Sequence, residues 1–266
     1  MIVLTVASPK GGVGKTSVTA NLAAALAARG RRVVAVDLDP QNALRLHMGV
    51  PPTEISGTSR STLAGEPWGR LMFQAPHGVR LLPFGELNDQ DMQRFEVYLE
   101  EHPEWLAEHL RTLGLAADDI VLIDTPPGHS PYLRQALAVA HRVLIVLLAD
   151  AASYATIPQI SRLVDTHCAQ RREFQGSHLL VNQVDTARHL ARDVLNAMRA
   201  AYGPRILGTI HSDQAVSEAL AYDQTVFDYA PHSVAALDFN HCADKLLNLL
   251  APPSLLRSFL GQTSGA

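Results

Sequence analysis

The chain has 266 residues, of which 47% are hydrophobic and 18% charged, and its formal net charge is −4. This composition supports a sizeable core and excludes a disordered chain, while the charge excludes a general attraction to nucleic acid or anionic lipid and leaves only local basic patches. The two cysteines, Cys168 and Cys242, lie far apart, which excludes a disulfide framework and a cysteine-based zinc site.

The apolar run Ile2 to Ala7 leads straight into a glycine loop without a basic leader, so it reads as a first strand and not a signal peptide. Together with the lack of any stretch of roughly 20 apolar residues, this predicts a cytoplasmic protein. Further strands are predicted at Arg32 to Asp37, Val79 to Phe84, Ile120 to Asp124, Val143 to Leu148, His178 to Asn182 and Arg205 to Ile210. Their near-continuous hydrophobicity is that of strands buried on both faces of a parallel sheet. Between them, helices are predicted at Lys15 to Arg29, Phe95 to Leu113, Pro131 to Ala140, Ile157 to Cys168, Arg188 to Tyr202, Asp213 to Tyr222 and Ser233 to Leu250. In the fifth, Leu190, Val194, Leu195 and Met198 recur at helical spacing and are predicted to form its core face. The alternation gives a doubly wound α/β fold, a mostly parallel sheet of about seven strands with helices on both faces. No composition break marks a linker, so one domain is expected over residues 1–250, followed by a tail at 251–266; Pro51 to Pro76 reads as an irregular insertion.

The segment Pro9-Lys10-Gly11-Gly12-Val13-Gly14-Lys15-Thr16 joins the first strand to the first helix. In that context main-chain N–H groups can surround a phosphate, with glycines admitting the anion, Lys15 reaching the β- and γ-phosphates and the Thr16 hydroxyl ligating Mg²⁺. Two of the three lysines, Lys10, Lys15 and Lys245, fall in this loop of a chain that otherwise uses arginine. A dinucleotide-binding glycine motif fits less well, because its third glycine position holds Ser17 and the Lys15-Thr16 pair has no role there.

The generic P-loop pattern fails at its first position, Pro9, whereas the variant K-G-G-x-G-K-[TS] is met in full. Here the sequence resembles the deviant-Walker P-loop ATPases of the MinD/ParA group. The resemblance implies an ATP-dependent homodimer with ATP and Mg²⁺ as cofactors, in which Lys10 crosses to the partner's nucleotide and Gly11, Gly12, Val13, Gly14, Lys15, Thr16 and Ser17 hold the phosphates. Asp37 and Asp39, in Val36-Asp37-Leu38-Asp39-Pro40, stand at the carboxyl end of the second strand, where ligands bind in such sheets. The family pattern assigns Asp39 to orienting the attacking water, and Asp37 is expected to support the magnesium shell. Val121-Leu122-Ile123-Asp124-Thr125-Pro126-Pro127-Gly128 reads as a Walker-B strand with Asp124 at the metal and a second switch after it. Resemblance also assigns Asn182 to adenine recognition and His211, Ser212 and Asp213 to lining the base with main-chain groups.

Four further segments, Thr62 to Trp68, Leu81 to Leu87, Ile210 to Ala215 and Asp228 to Phe239, are similar to the MinD-like ATPases of bacterial cellulose-synthesis operons, BcsQ. This implies a switch or adaptor supporting the membrane cellulose synthase, with a small operon-encoded partner and recruitment to the inner membrane through partners. The alternative is a ParA-type ATPase for DNA partition or another cargo. Arg188, Arg192 and Arg199 fall within about 40° on a helical wheel, too small a cluster for DNA to be expected as a partner. The tail segment Ser254 to Leu260 is apolar but short, so direct membrane binding is expected to be weak at most.

Overall fold

The computed structural model describes residues 1–51 and 53–250; the predicted tail lies outside the described residues. Strands β1 (Ile2–Ala7), β2 (Val33–Asp37), β3 (Phe73–Gln74), β4 (Arg80–Leu82), β5 (Ile120–Asp124), β6 (Arg142–Leu148), β7 (Ser177–Val184) and β8 (Ile206–His211) form one sheet in the order β3-β4-β2-β5-β1-β6-β7-β8. All neighbours are parallel except β3 and β4.

Side chains alternate across each strand, and here both sets are apolar. Leu4, Val6, Ile120, Leu122, Leu144 and Val146 pack on one face beneath α1 (Lys15–Ala27) and α11 (Val234–Leu250). Val3, Val121 and Ile123, then Ala7, Val143 and Ile145, pack on the other, beneath α5 (Trp105–Thr112), α6 (Pro131–Val139), α7 (Ala151–Cys168) and α8 (His189–Tyr202). Each such Val, Leu or Ile contributes roughly 1.5–3 kcal/mol when buried, so neither face of the sheet can be left bare. The chain leaves β1 through α1 toward β2 and passes from β5 through α6 to β6, which places a crevice at the carboxyl ends of β1 and its neighbours.

The structure corrects four of the predicted elements. The segment read as irregular holds α3 (Thr58–Ala64) and the eighth strand, β3, whose two residues are too few for a periodic signal. It is pinned by Trp68, which is buried and meets Trp105 edge-on with ring centroids 5.2 Å apart. The predicted helix from Phe95 to Leu113 is two helices, α4 (Asp89–Glu101) and α5. Pro103 drives His102 out of helical geometry, and α4 begins earlier because the Asn88 side chain accepts the Asp91 N–H. Helix α7 starts at Ala151, where Asp150 accepts the Ser153 N–H, and runs through Pro158. Finally, Leu195 and Met198 are buried on α8 as expected and Val194 is half-buried, but Leu190 is 62% exposed, in a run of exposed residues from 186 to 190 that no core cluster covers. Among the described residues no helix is long and apolar enough to cross a membrane.

Candidate nucleotide site

The loop from Pro9 to Gly14 turns from the tip of β1 into α1, and Gly14 makes the turn in the left-handed region at φ 83°. A Cβ there would also meet Asn182 Nδ2 at 2.5 Å. Gly14→Ala is therefore expected to lower stability by about 1–2 kcal/mol through strain and displacement of Asn182, read as a fall of a few degrees in the thermal midpoint. No side chain caps the first turn of α1 and no acidic residue lies in it. Its free N–H groups and positive dipole end face the crevice, a ready anion site.

Lys15 is buried, and burial lowers its pKa against the charges of Asp124 and Asp39. Asp124 and Asp37 are opposite each other in the β5–β2 register, and both are fully buried. The Asp37 oxygens accept the N–H groups of Asp39 at 2.9 Å and Leu44 at 3.1 Å, so Asp37 also fixes the turn that follows β2. Burial, then the Asp124 charge, holds its carboxyl well above the usual range in spite of those bonds. For Asp124, burial raises the pKa to about 6 against a Thr16 hydrogen bond and the Lys15 charge. Thr19 donates to its Oδ1 at 3.3 Å, while its Oδ2 is buried without a partner. Two adjoining buried carboxylates with an orphaned oxygen, beside the Thr16 hydroxyl, fit a hard divalent cation. Among the described residues no group of three or more His, Cys, Asp or Glu could hold a metal, so such a cation would need ligands from phosphate and water.

Asp39 is half-buried at the mouth of the crevice, where its Oδ1 accepts the Gln41 N–H at 3.0 Å and its charge acts on Lys15, Asp124 and Asp37. The Pro126-Pro127-Gly128 turn lies against the loop, with the Gly128 N–H donating to Ser8 O. Lys10 does not reach back to its own loop. Its Nζ lies 3.5 Å from Asp150 Oδ2, with both side chains partly exposed.

A cavity of about 380 Å³ opens beside Gly14 and Ser17 and is lined by Asn182, His211, Ser212 and Asp213, so the predicted base-lining residues converge. Two of these side chains also bond to the fold itself. Asn182 Nδ2 donates to Val13 O at 2.8 Å, clamping the phosphate loop as well as facing the cavity. The Asp213 carboxylate accepts the N–H groups of Ala215 and Ala235, both at 3.0 Å, and is taken up in joining α9 (Gln214–Ala221) to α11. Sequence reasoning missed four groups: Thr19, one helical turn after Lys15; Asp150, at the carboxyl edge after β6; Gln183, which follows Asn182; and His47. The first two had a signal in their spacing and position. His47 had none: it is buried, its pKa is lowered to about 4 by that burial, and its Nε2 lies 3.3 Å from Ser17 Oγ.

The chain matches the family described as "Cellulose biosynthesis protein BcsQ" over residues 1–247. It is 29% identical to the cellulose biosynthesis protein BcsQ of Salmonella typhi over 244 residues, 89% of this chain and 90% of that one. It is 32% identical to the chromosome-partitioning ATPase Soj of Thermus thermophilus over 249 residues, 92% and 94% of the two chains. Among solved structures, the septum site-determining protein MinD of Pyrococcus horikoshii, complexed with Mg-ADP, superposes with a TM-score of 0.76 at 22% identity, covering 94% and 97% of the two chains.

Proposed function

Because the chain belongs to the BcsQ family of MinD/ParA-type P-loop ATPases, we propose that it is an ATP-driven dimer switch supporting assembly or placement of the bacterial cellulose synthase. The observation that carries the nucleotide part is the uncapped N-terminus of α1 with buried Lys15, set against the orphaned Asp124 oxygen. Main-chain N–H groups from Gly11 to Ser17 and the Lys15 ammonium hold the β- and γ-phosphates, while Thr16, Asp124 and Asp37 hold Mg²⁺ directly or through water. The metal, when bound, neutralises the phosphate charge that builds during transfer. Asp39, at the mouth, orients the attacking water. Asn182 faces the base while its Nδ2 keeps Val13 in place.

Dimer closure is supported by Lys10. Lys15 already serves the subunit's own phosphates, and Lys10 is turned outward to Asp150. Hydrolysis is slow on this reading, because the added cation is Lys10 and it must come from the partner subunit. The cellulose assignment follows the family match and the BcsQ relatives. On this reading a partner encoded with the synthase brings the protein to the inner membrane.

The similarity to Soj supports a second reading, DNA partition. Of the arginine stripe, Arg192 is engaged with Thr186 O and His189, and Arg199 lines a separate cavity beside Lys245. That leaves a small cationic surface for an interaction that usually neutralises roughly six to ten phosphates. Gene deletion, and separately Lys15→Ala, should each abolish cellulose output with chromosome and plasmid segregation normal. Normal cellulose with missegregation would establish the partition reading instead.

A further inference from the structure

We propose that the groove between α3 and α4 is the docking site for a basic, amphipathic helix of a partner protein. Three adjoining cavities of about 340, 430 and 290 Å³ make up this groove; the first two share Leu63, the first and third Glu66, and the last two Tyr98. It has no lining residue in common with the base cavity. Helix α3 is held beside the chain that leaves β4 by its Thr58 and Ser59 N–H groups, which donate to Pro83 O and Phe84 O. Of the four segments that carry the BcsQ resemblance, Thr62 to Trp68 lies here, and each of its residues lines one of the three cavities. Nothing in the nucleotide reading uses this segment.

Helix α4 commits Phe95 and Leu99 to the core and runs Gln90, Arg94, Val97 and Glu101 along the groove at spacings of three and four. Val97 is 54% exposed there, and Tyr98 and Leu63 line the same cavity, so an apolar strip is left to solvent between two helices. In the third cavity Trp68 is buried, and its Nε1 has no hydrogen-bond partner among the described residues. A buried donor left unpaired is costly, and an acceptor on an occupant would satisfy it. No strand residue lines the groove, which fits a helix laid between helices and not a strand added to a sheet.

Charge decides which helix fits. Seven of the twenty residues from 89 to 108 are Asp or Glu, and Arg94 is the one Lys or Arg among them. Arg94 pairs with Asp91 at 3.0 Å, and Arg60, the other cation of the lining, donates to Glu86 O. Glu66 and Glu101 line the groove without an ion pair among the described residues. Such a rim repels nucleic acid and anionic lipid, and a second copy of the chain would set the same rim against its own. The tail offers one cation, Arg257. A partner helix with Lys or Arg on its polar face meets these carboxylates while its apolar stripe covers Leu63, Val97 and Tyr98.

The test titrates the full chain with two synthetic peptides that share one leucine spacing and lack tryptophan, one carrying lysine and the other glutamate at the polar positions. Trp68 and Trp105 are the chain's two tryptophans and meet edge-on at the groove, so their emission reports its occupancy. Anisotropy of the labelled peptide gives the affinity. The lysine peptide should bind at least about tenfold more tightly than the glutamate peptide, with a saturable change in emission. Val97→Arg and Glu101→Lys, both at exposed positions, should each weaken it at least about fivefold while leaving the thermal midpoint within a few degrees. Binding that does not change the emission, or that either substitution leaves unaltered, means attraction by charge to another face and overturns the proposal. Equal binding of the two peptides, or no binding of the lysine peptide, overturns it as well. None of these outcomes bears on ATP binding, so the nucleotide reading stands or falls separately.

Discussion

Lys10→Ala is expected to abolish ATP-induced dimerisation while leaving ATP binding within a few-fold of wild type. In the monomer Lys10 makes a single partly exposed ion pair with Asp150, an interaction of under about 1 kcal/mol. Its absence therefore costs the free subunit little. In a closed dimer the same ammonium would be desolvated against a triphosphate, where losing one partner of a charge-assisted pair costs roughly 2–5 kcal/mol. A two-fold dimer contains that contact twice, so its dissociation constant should rise on the order of a thousandfold or more. Asp150→Ala makes the opposite demand. It frees Lys10 and removes a carboxylate whose ionised form, though opposed by burial, is held by Ser153 and Lys10. Dimerisation should then occur at up to about fivefold lower protein concentration, less whatever the lost cap on α7 destabilises. Light scattering with a slowly hydrolysed ATP analogue reads both variants. Full dimerisation by Lys10→Ala would remove this residue from the interface.

Much of the site was legible because a parallel sheet gathers its chemistry at strand tips, and a strand tip is a local pattern. Asp37, Asp124 and Asn182 each end an apolar run, and the fold brings all three to one edge beside Lys15. What no local pattern carries is the second partner of each group. The pairing of Lys10 with Asp150 spans 140 positions and that of Asn182 with Val13 spans 169. The resemblance places the main chain of Asp213 at the base, and no local pattern shows that its carboxylate also serves helix starts at two places. Leu190 fits the apolar face of α8 by spacing, and only tertiary packing decides that the core reaches Val194, Leu195 and Met198 but not the first turn. The local signal for the α4–α5 break is Pro103, which the prediction of one helix from Phe95 to Leu113 passes over.

Asp124→Asn should stabilise the nucleotide-free protein and, in the same molecule, remove most magnesium-dependent turnover. The ionised Asp124 is a cost to the empty fold: it is fully buried, one oxygen has no partner, and Asp37 adjoins it. A raised carboxyl pKa means that the folded state prefers the protonated form. The penalty is absent below the unfolded value near 3.8, grows as pH rises toward about 6, and is fully present above that. An amide of the same shape carries no charge at any pH, so the gain in thermal midpoint should appear at pH 7.5 and vanish near pH 4. Relief of a buried unpaired charge is of order 1–3 kcal/mol, which for a chain of this size is roughly 2–10 °C. Magnesium with nucleotide offsets the same penalty in wild type, and its stabilising effect should shrink in the variant. Turnover should fall at least about a hundredfold, as expected when a charge stabilising phosphoryl transfer is lost. A calorimetric scan of the apo variant at the two pH values, paired with a phosphate-release assay, separates the two effects. Destabilisation at pH 7.5 would mean that Asp124 serves the fold through its charge and not the cation.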